Sequence, residues 1–179
     1  MAENKSSTEI IKQYLEDAIA AEKSFETQLE GFAKEGDNPE VKSAFQQHAV
    51  ETRNQYERLT ARLEALGGSP SAVKSFMAHM FNMAPQSAKL GHEEEERTTQ
   101  NLMMAFAVES SECAMYEALA TVAEAAGDTQ TASLARDIQA QEKATADKVW
   151  RMLPIAALTA FQRLSGGRSA GYQAEAARL

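Results

Sequence analysis

Apolar residues recur at alternating spacings of four and three over four long stretches of the chain, the period of a helix that buries one face. The first stripe is Ile11, Leu15, Ala18, Glu22, Phe25, Leu29 and Phe32, and the second Val41, Phe45, His48, Thr52, Tyr56, Leu59, Leu63 and Leu66. The third is Leu102, Ala105, Glu109, Glu112, Tyr116, Leu119 and Ala123, and the fourth Thr131, Ala135, Ile138, Glu142, Thr145, Val149 and Met152. No segment of alternating β-branched residues interrupts them, so the pattern predicts an all-α fold.

Glycine, proline and capping residues set the ends. "SSTE" at 6–9 forms a capping box, with Ser6 as N-cap and Glu9 three residues on, and the first helix runs to about Lys34. "EGDNPE" then supplies Gly36 as terminator, Asn38 as the next cap and Pro39 at the first helical position. Helix two reaches Leu66 and stops at "GGSP". A second "GD", Gly127 and Asp128, separates helix three from helix four, which reaches Pro154, and "IAALTAFQRL" predicts a short fifth helix. Two antiparallel hairpins are thus joined by a long connection, residues 67 to about 95, with an apolar patch "VKSFMAHMFNMAP" inside it. This is a four-helix bundle with a crossover, of which the ferritin-like topology is one case. The bundle domain is expected over 1–164, and 165–179, Gly- and Ser-rich at its start, as a flexible C-terminal tail.

The stripes carry charges where apolar residues are expected. Glu22, Glu109, Glu112 and Glu142 lie in the seams, His48 lies in the seam of helix two, and Glu51 stands on its shoulder one turn further on. The two "GD" turns give a common ruler. Glu22 is 14 residues before Gly36 and Glu51 is 15 after it, while Glu112 is 15 before Gly127 and Glu142 is 15 after it. At 1.5 Å of rise per residue all four lie roughly 21 to 23 Å from their own turn, near mid-length. Burying one unpartnered carboxylate costs several kcal/mol, and several at one level also repel one another. Lys and Arg are absent from the central seams, so a bound divalent metal is the simplest neutralising charge. Oxygen-rich ligation with a little imidazole suits iron or manganese, with two ions among four carboxylates, and His48 and Glu51 as the contribution of helix two.

Each residue also has a plainer reading. A lone histidine in a seam is more often a hydrogen-bonded core residue than a ligand, and a shoulder glutamate is usually solvated. The joint pattern of one carboxylate per helix at one level outweighs those separate readings. Met77, Met80, Met83, Met103 and Met104 read as packing residues rather than copper ligands. The acidic run Glu93 to Glu96 suits the positive end of helix three. His79 and His92 carry no spacing signal, Cys113 has no partner suggesting nucleophilic catalysis, and there is no Gly-rich phosphate loop.

The 179 residues suit one domain, and 44% hydrophobic residues suit a folded core. A net charge of -8 without a basic patch argues against nucleic acid and anionic membrane as partners. A single Cys113, no apolar leader at "MAENKSSTEI" and no run of about 18 apolar residues make the cytoplasm the expected location.

At these residues a resemblance emerges. "YLEDAIAAEKSF", "HAVETRNQYERL", "AVESSECAMYEAL" and "QAQEKATADKVWRML" resemble, in order, the four helices of the YciF/YciE-type stress protein family within the ferritin-like superfamily, over about residues 8 to 155. The resemblance implies a small cytoplasmic four-helix protein, often a homodimer, associated with general and oxidative stress and holding a rubrerythrin-like dimetal site. By position it implicates Glu22, His48, Glu51, Glu112 and Glu142, with Glu109 as an additional candidate; Glu109 and Glu112 both lie on the stripe, and the choice between them stays open. The chain departs from the pattern in two places. Its histidine precedes the helix-two glutamate, with Asn54 and Thr145 three residues after Glu51 and Glu142, and Ser110 stands where the family commonly has a histidine. Two functions are therefore expected to compete. One is a stress-response protein with a dinuclear Fe or Mn centre acting on oxygen or peroxide. The other is a non-catalytic bundle serving as a structural or interaction protein without metal.

Overall fold

The computed structural model describes residues 5–69 and 93–166. They form four long helices, α1 (Ser7–Phe32), α2 (Pro39–Ala65), α3 (Arg97–Ala125) and α4 (Thr129–Leu164), with a single 3-10 turn, Glu94–Glu96, leading into α3. The expected ferritin-like bundle of two antiparallel hairpins is present: α1 packs along α2, α3 along α4, and α1 also packs on α3. Of the side-by-side pairs, α2 and α4 touch least.

The capping residues act where the sequence places them. Ser6 and Glu9 close a reciprocal capping box, and Asn38 Oδ1 accepts from the Glu40 and Val41 amides ahead of Pro39. Asp128 caps α4 through the Thr131 amide at 3.0 Å, and both its oxygens accept from Arg62 near the end of α2, at 2.7 and 2.8 Å. At the other end of the bundle Gly36 takes φ +69° with the Thr98 hydroxyl against its α-carbon, space that no side chain can share. Asn101 donates to Glu35 there at 3.1 Å. The end of α2 and the start of α3 therefore lie at opposite ends of the bundle, which is the crossover topology. Most of the connection, its apolar patch, Met77, His79, Met80, Met83, His92 and nearly all of the expected tail lie outside the described residues.

One expectation is corrected. No separate fifth helix follows Pro154, because α4 runs unbroken through it to Leu164. Proline removes one backbone hydrogen bond, but its ring is on the exposed face here, and Ala156 and Ala160 continue the buried stripe beyond it. Arg163 also ion-pairs with Asp37 in the first turn, tying the extension down. Tertiary packing outweighs the local break.

The apolar core is in two parts. One cluster gathers Phe25, Leu29, Phe32, Val41, Phe45, Leu102 and Val149. The other gathers Ile11, Leu15, Leu59, Leu63, Tyr116, Leu119 and Ile138. Between these clusters every helix turns buried polar side chains inward: Glu22, then His48, Thr52 and Gln55, then Glu109 and Glu112, then Glu142. Replacing the cap that joins the hairpins, Asp128→Ala, frees the first amides of α4 and leaves Arg62 unpaired; urea denaturation is expected to show a loss of about 1–2 kcal/mol.

Candidate metal centre

The polar layer between the clusters takes Glu22 from α1, His48 from α2, Glu109 and Glu112 from α3 and Glu142 from α4. Each sits on the inward stripe of its helix, so the packing that buries the leucines buries these side chains too. The four carboxylates are at most 1% exposed and His48 is 5% exposed. Among the described residues no lysine or arginine is buried with them.

Few donors reach this layer. Tyr116 Oη donates to Glu22 Oε1, and Gln55 Nε2 donates both to Glu142 Oε1 and, at 3.1 Å, to Gln141 Oε1. His48 Nε2 lies 3.1 Å from Glu109 Oε1 without the direction of a hydrogen bond, and the edge of its ring meets Phe25 with centroids 5.4 Å apart. The second oxygen of Glu22 and both oxygens of Glu109 and of Glu112 have no hydrogen-bond partner. His48, Glu109 and Glu142 each offer one ligand atom, and the three atoms lie within 4.8 Å of one another.

Burial dominates the titration. It pushes Glu22 and Glu112 well above the usual carboxylate range, and their charged neighbours, Glu142 for Glu22 and Glu22 for Glu112, add to the rise. Glu109 rises well above that range for the same first reason, with Glu142, Glu112 and Glu22 adding to it. Burial also raises Glu142, against hydrogen bonding from the protonated Glu109 carboxyl and from Gln55. The Tyr116 phenol is pushed well up by burial and by Glu22, so it stays a donor. Burial, helped by Lys148, lowers His48 to about 4, which makes it a neutral imidazole. Without a cation, burial therefore favours the protonated form of these carboxyls and the neutral form of the imidazole.

Of the six residues expected at the site, five come together and Glu51 does not. Glu51 is exposed and accepts from Gln47 at 3.1 Å. The reason is rotational. At about 100° per residue the inward face that holds His48 continues at Thr52 and Gln55, and Glu51 falls about 60° to one side. Both Glu109 and Glu112 face inward, so α3 contributes two carboxylates. Gln55 is the layer residue missing from the expected stripe. It lies seven residues after His48 and four before Leu59, a spacing that marks the inner face, while Tyr56 is only half-buried beneath the Lys23 ammonium, 5.5 Å from its ring centroid. Glu26, also buried, is paired with Arg53 at 2.6 Å and Lys23 at 2.8 Å outside the layer.

The donor set fits a divalent metal. Hard carboxylate oxygens with one imidazole suit iron or manganese, the neutral state of His48 leaves a lone pair for a ligand, and five buried carboxylate oxygens have no donor aimed at them.

Comparison with known proteins follows the same line. The model of a family described as "Domain of unknown function (DUF892)" matches residues 6–161. Protein YciF of Escherichia coli (strain K12) is 29% identical over 145 residues, 79% of this chain and 86% of that protein. A solved structure of a Xanthomonas campestris protein superposes with a TM-score of 0.73 at 27% identity, covering 89% of this chain and 99% of that one. Dps from Staphylococcus aureus, at 17% identity, shares the fold with a TM-score of 0.65 over 80% of this chain and 94% of its own.

A pH dependence follows from the raised carboxyls. A glutamate whose folded value lies above its ordinary 4.5 lends stability that is complete below 4.5 and is lost as pH rises through the folded value. His48 acts in the opposite sense, its contribution being complete above 6.5 and lost as pH falls through about 4. Above about pH 6.5 the His48 contribution is complete and only the carboxyls can change the balance, so the urea midpoint of chelator-treated protein is expected to fall as pH rises from there. Glu112→Gln, which cannot ionise, should flatten that slope.

Proposed function

The chain belongs to the DUF892 family and is a ferritin-like protein of the YciF type, and from that premise we propose that its buried layer holds a dinuclear iron or manganese centre in a stress-response protein. One observation carries the reading: His48, Glu109 and Glu142 converge within 4.8 Å while both oxygens of Glu109 and Glu112 are buried with no donor aimed at them. His48, Glu109 and Glu142 form the nucleus of the ligand set, and Glu22 and Glu112 complete it. Ions of either metal supply one-electron exchange with oxygen or peroxide.

The chain's own residues do the rest. The two apolar clusters exclude bulk water from the layer. Tyr116 fixes one oxygen of Glu22 and leaves the other open, and Gln55 fixes one oxygen of Glu142. Cation binding displaces the protons of Glu109 and Glu112, so affinity rises with pH. The homodimer and the cytoplasmic location implied by the family resemblance belong to the same reading. Among the described residues no helix is long and apolar enough to cross a membrane.

The second reading is a metal-free bundle with a structural or interaction role. It is favoured by the Tyr116–Glu22 and Gln55–Glu142 bonds, which close without any ion.

Elemental mass spectrometry after anaerobic ferrous or manganous loading, on protein purified without a metal-affinity tag, is expected to give about two ions per chain. Glu109→Gln should lose most of them. Saturation at about a hundred times the dissociation constant should stabilise the wild type by about 2.7 kcal/mol, read as a raised melting temperature. No retained metal, with melting indifferent to chelator, would instead establish the second reading.

A further inference from the structure

The layer adjoins solvent at one seam. Between α2 and α4, the side-by-side pair in least contact, a groove of about 620 Å³ opens on the surface. His48 and Phe45 lie at its floor, and Glu51, Asn54, Gln141 and Lys148 stand around it. Glu22, Glu109, Glu112 and Glu142 are absent from its lining, so His48 is the residue through which the groove meets the layer. Its Nε2 is buried, has no hydrogen-bond partner and lies 3.1 Å from Glu109.

Glu51 stands where a ligand would be met from outside. It is exposed on the groove wall, one turn from His48 on the same helix. Gln141, on the facing helix, lines the same groove and is tied to Gln55 across the seam, and Gln55 in turn to Glu142.

We propose that this groove is the entry route for divalent cations, with Glu51 as the carboxylate that captures the ion at the mouth and His48 as the first donor it meets inside. The inference rests on the layer binding metal. A cation leaving water needs oxygen or nitrogen donors at each stage, because shedding its hydration shell into an apolar wall is prohibitive. A carboxylate beside a low-dielectric cleft raises the local cation concentration and the entry rate. Lys148 on the opposite wall works against entry. Glu51 thus governs how fast the centre fills, and His48, Glu109 and Glu142 govern how much it holds.

The test mixes metal-stripped full-length protein with Co²⁺ in a stopped-flow instrument, following visible absorption, and measures final stoichiometry by equilibrium dialysis. Glu51→Gln is expected to bind as many ions as the wild type but about three- to ten-fold more slowly at low ionic strength, the gap narrowing in high salt. Lys148→Gln is expected to load about twofold faster. Both positions are exposed, and circular dichroism confirms that the fold is kept. A reduced stoichiometry in Glu51→Gln would make it a ligand, overturning the entry role while leaving the centre in place. Unchanged rates in both variants would put the route elsewhere. No Co²⁺ uptake by the wild type would overturn the centre and its route together.

Discussion

Four carboxyl groups share one dry layer at the middle of this bundle, and the rest of the structure answers to that. An ionised carboxylate buried without a partner costs several kcal/mol, and each added neighbour of the same sign raises the cost. The layer can persist only with protons or cations among the oxygens, and with enough packing elsewhere to offset what it forfeits. The two apolar clusters above and below supply that packing and also make the layer dry. The same leucines and phenylalanines that stabilise the bundle thus give the carboxyls their raised affinity for positive charge.

Bringing four side chains to one level demands helices of matched length with fixed ends. Asn38 with Pro39 starts α2, and Asp128 with Arg62 both starts α4 and ties it to the end of α2. Gly36 allows the first turn to close against Thr98. A slip of one residue at either turn rotates a carboxylate by about 100° out of the layer, so these surface caps are conditions for the site as much as for the fold.

That rigidity is also why so much was legible beforehand. Rise per residue is constant, so counting from the two turns put Glu22, Glu112 and Glu142 at one level, and their places on the apolar stripes put them inside. Glu109 stands on the same apolar stripe as Glu112, and both α3 carboxylates prove to face inward. Counting fixes height but not rotation. Glu51 has the right height and the wrong bearing, because the α2 seam passes through His48, Thr52 and Gln55. Gln55 escaped notice because its polar type masks a position that its spacing from Leu59 marks as internal. Pro154 misled for a different reason: a proline ends a helix only when nothing else holds the following turn, and Ala156, Ala160 and Arg163 hold this one.

The choice between protons and a cation as the layer's neutralising charge turns on what the existing bonds leave undone. A network that relied on protonated carboxyls would have their hydroxyls donate to neighbouring oxygens, since every buried donor and acceptor left alone carries a penalty of about 1–3 kcal/mol. Glu22 and Glu142 are partly satisfied, by Tyr116 and Gln55. Glu112 has no donor at either oxygen, Glu109 has only the Glu142 carboxyl beside it to share a proton with, and the one imidazole in reach approaches Glu109 without the alignment of a hydrogen bond. The open acceptors are concentrated on α3, facing His48 and Glu142, rather than scattered through the layer. A proton shared between Glu109 and Glu142 relieves part of that corner and leaves Glu112 without a directed donor. A divalent ion has no such directional shortage, because it attracts every oxygen and nitrogen lone pair around it at once, and that asymmetry is what favours metal at this point in the fold.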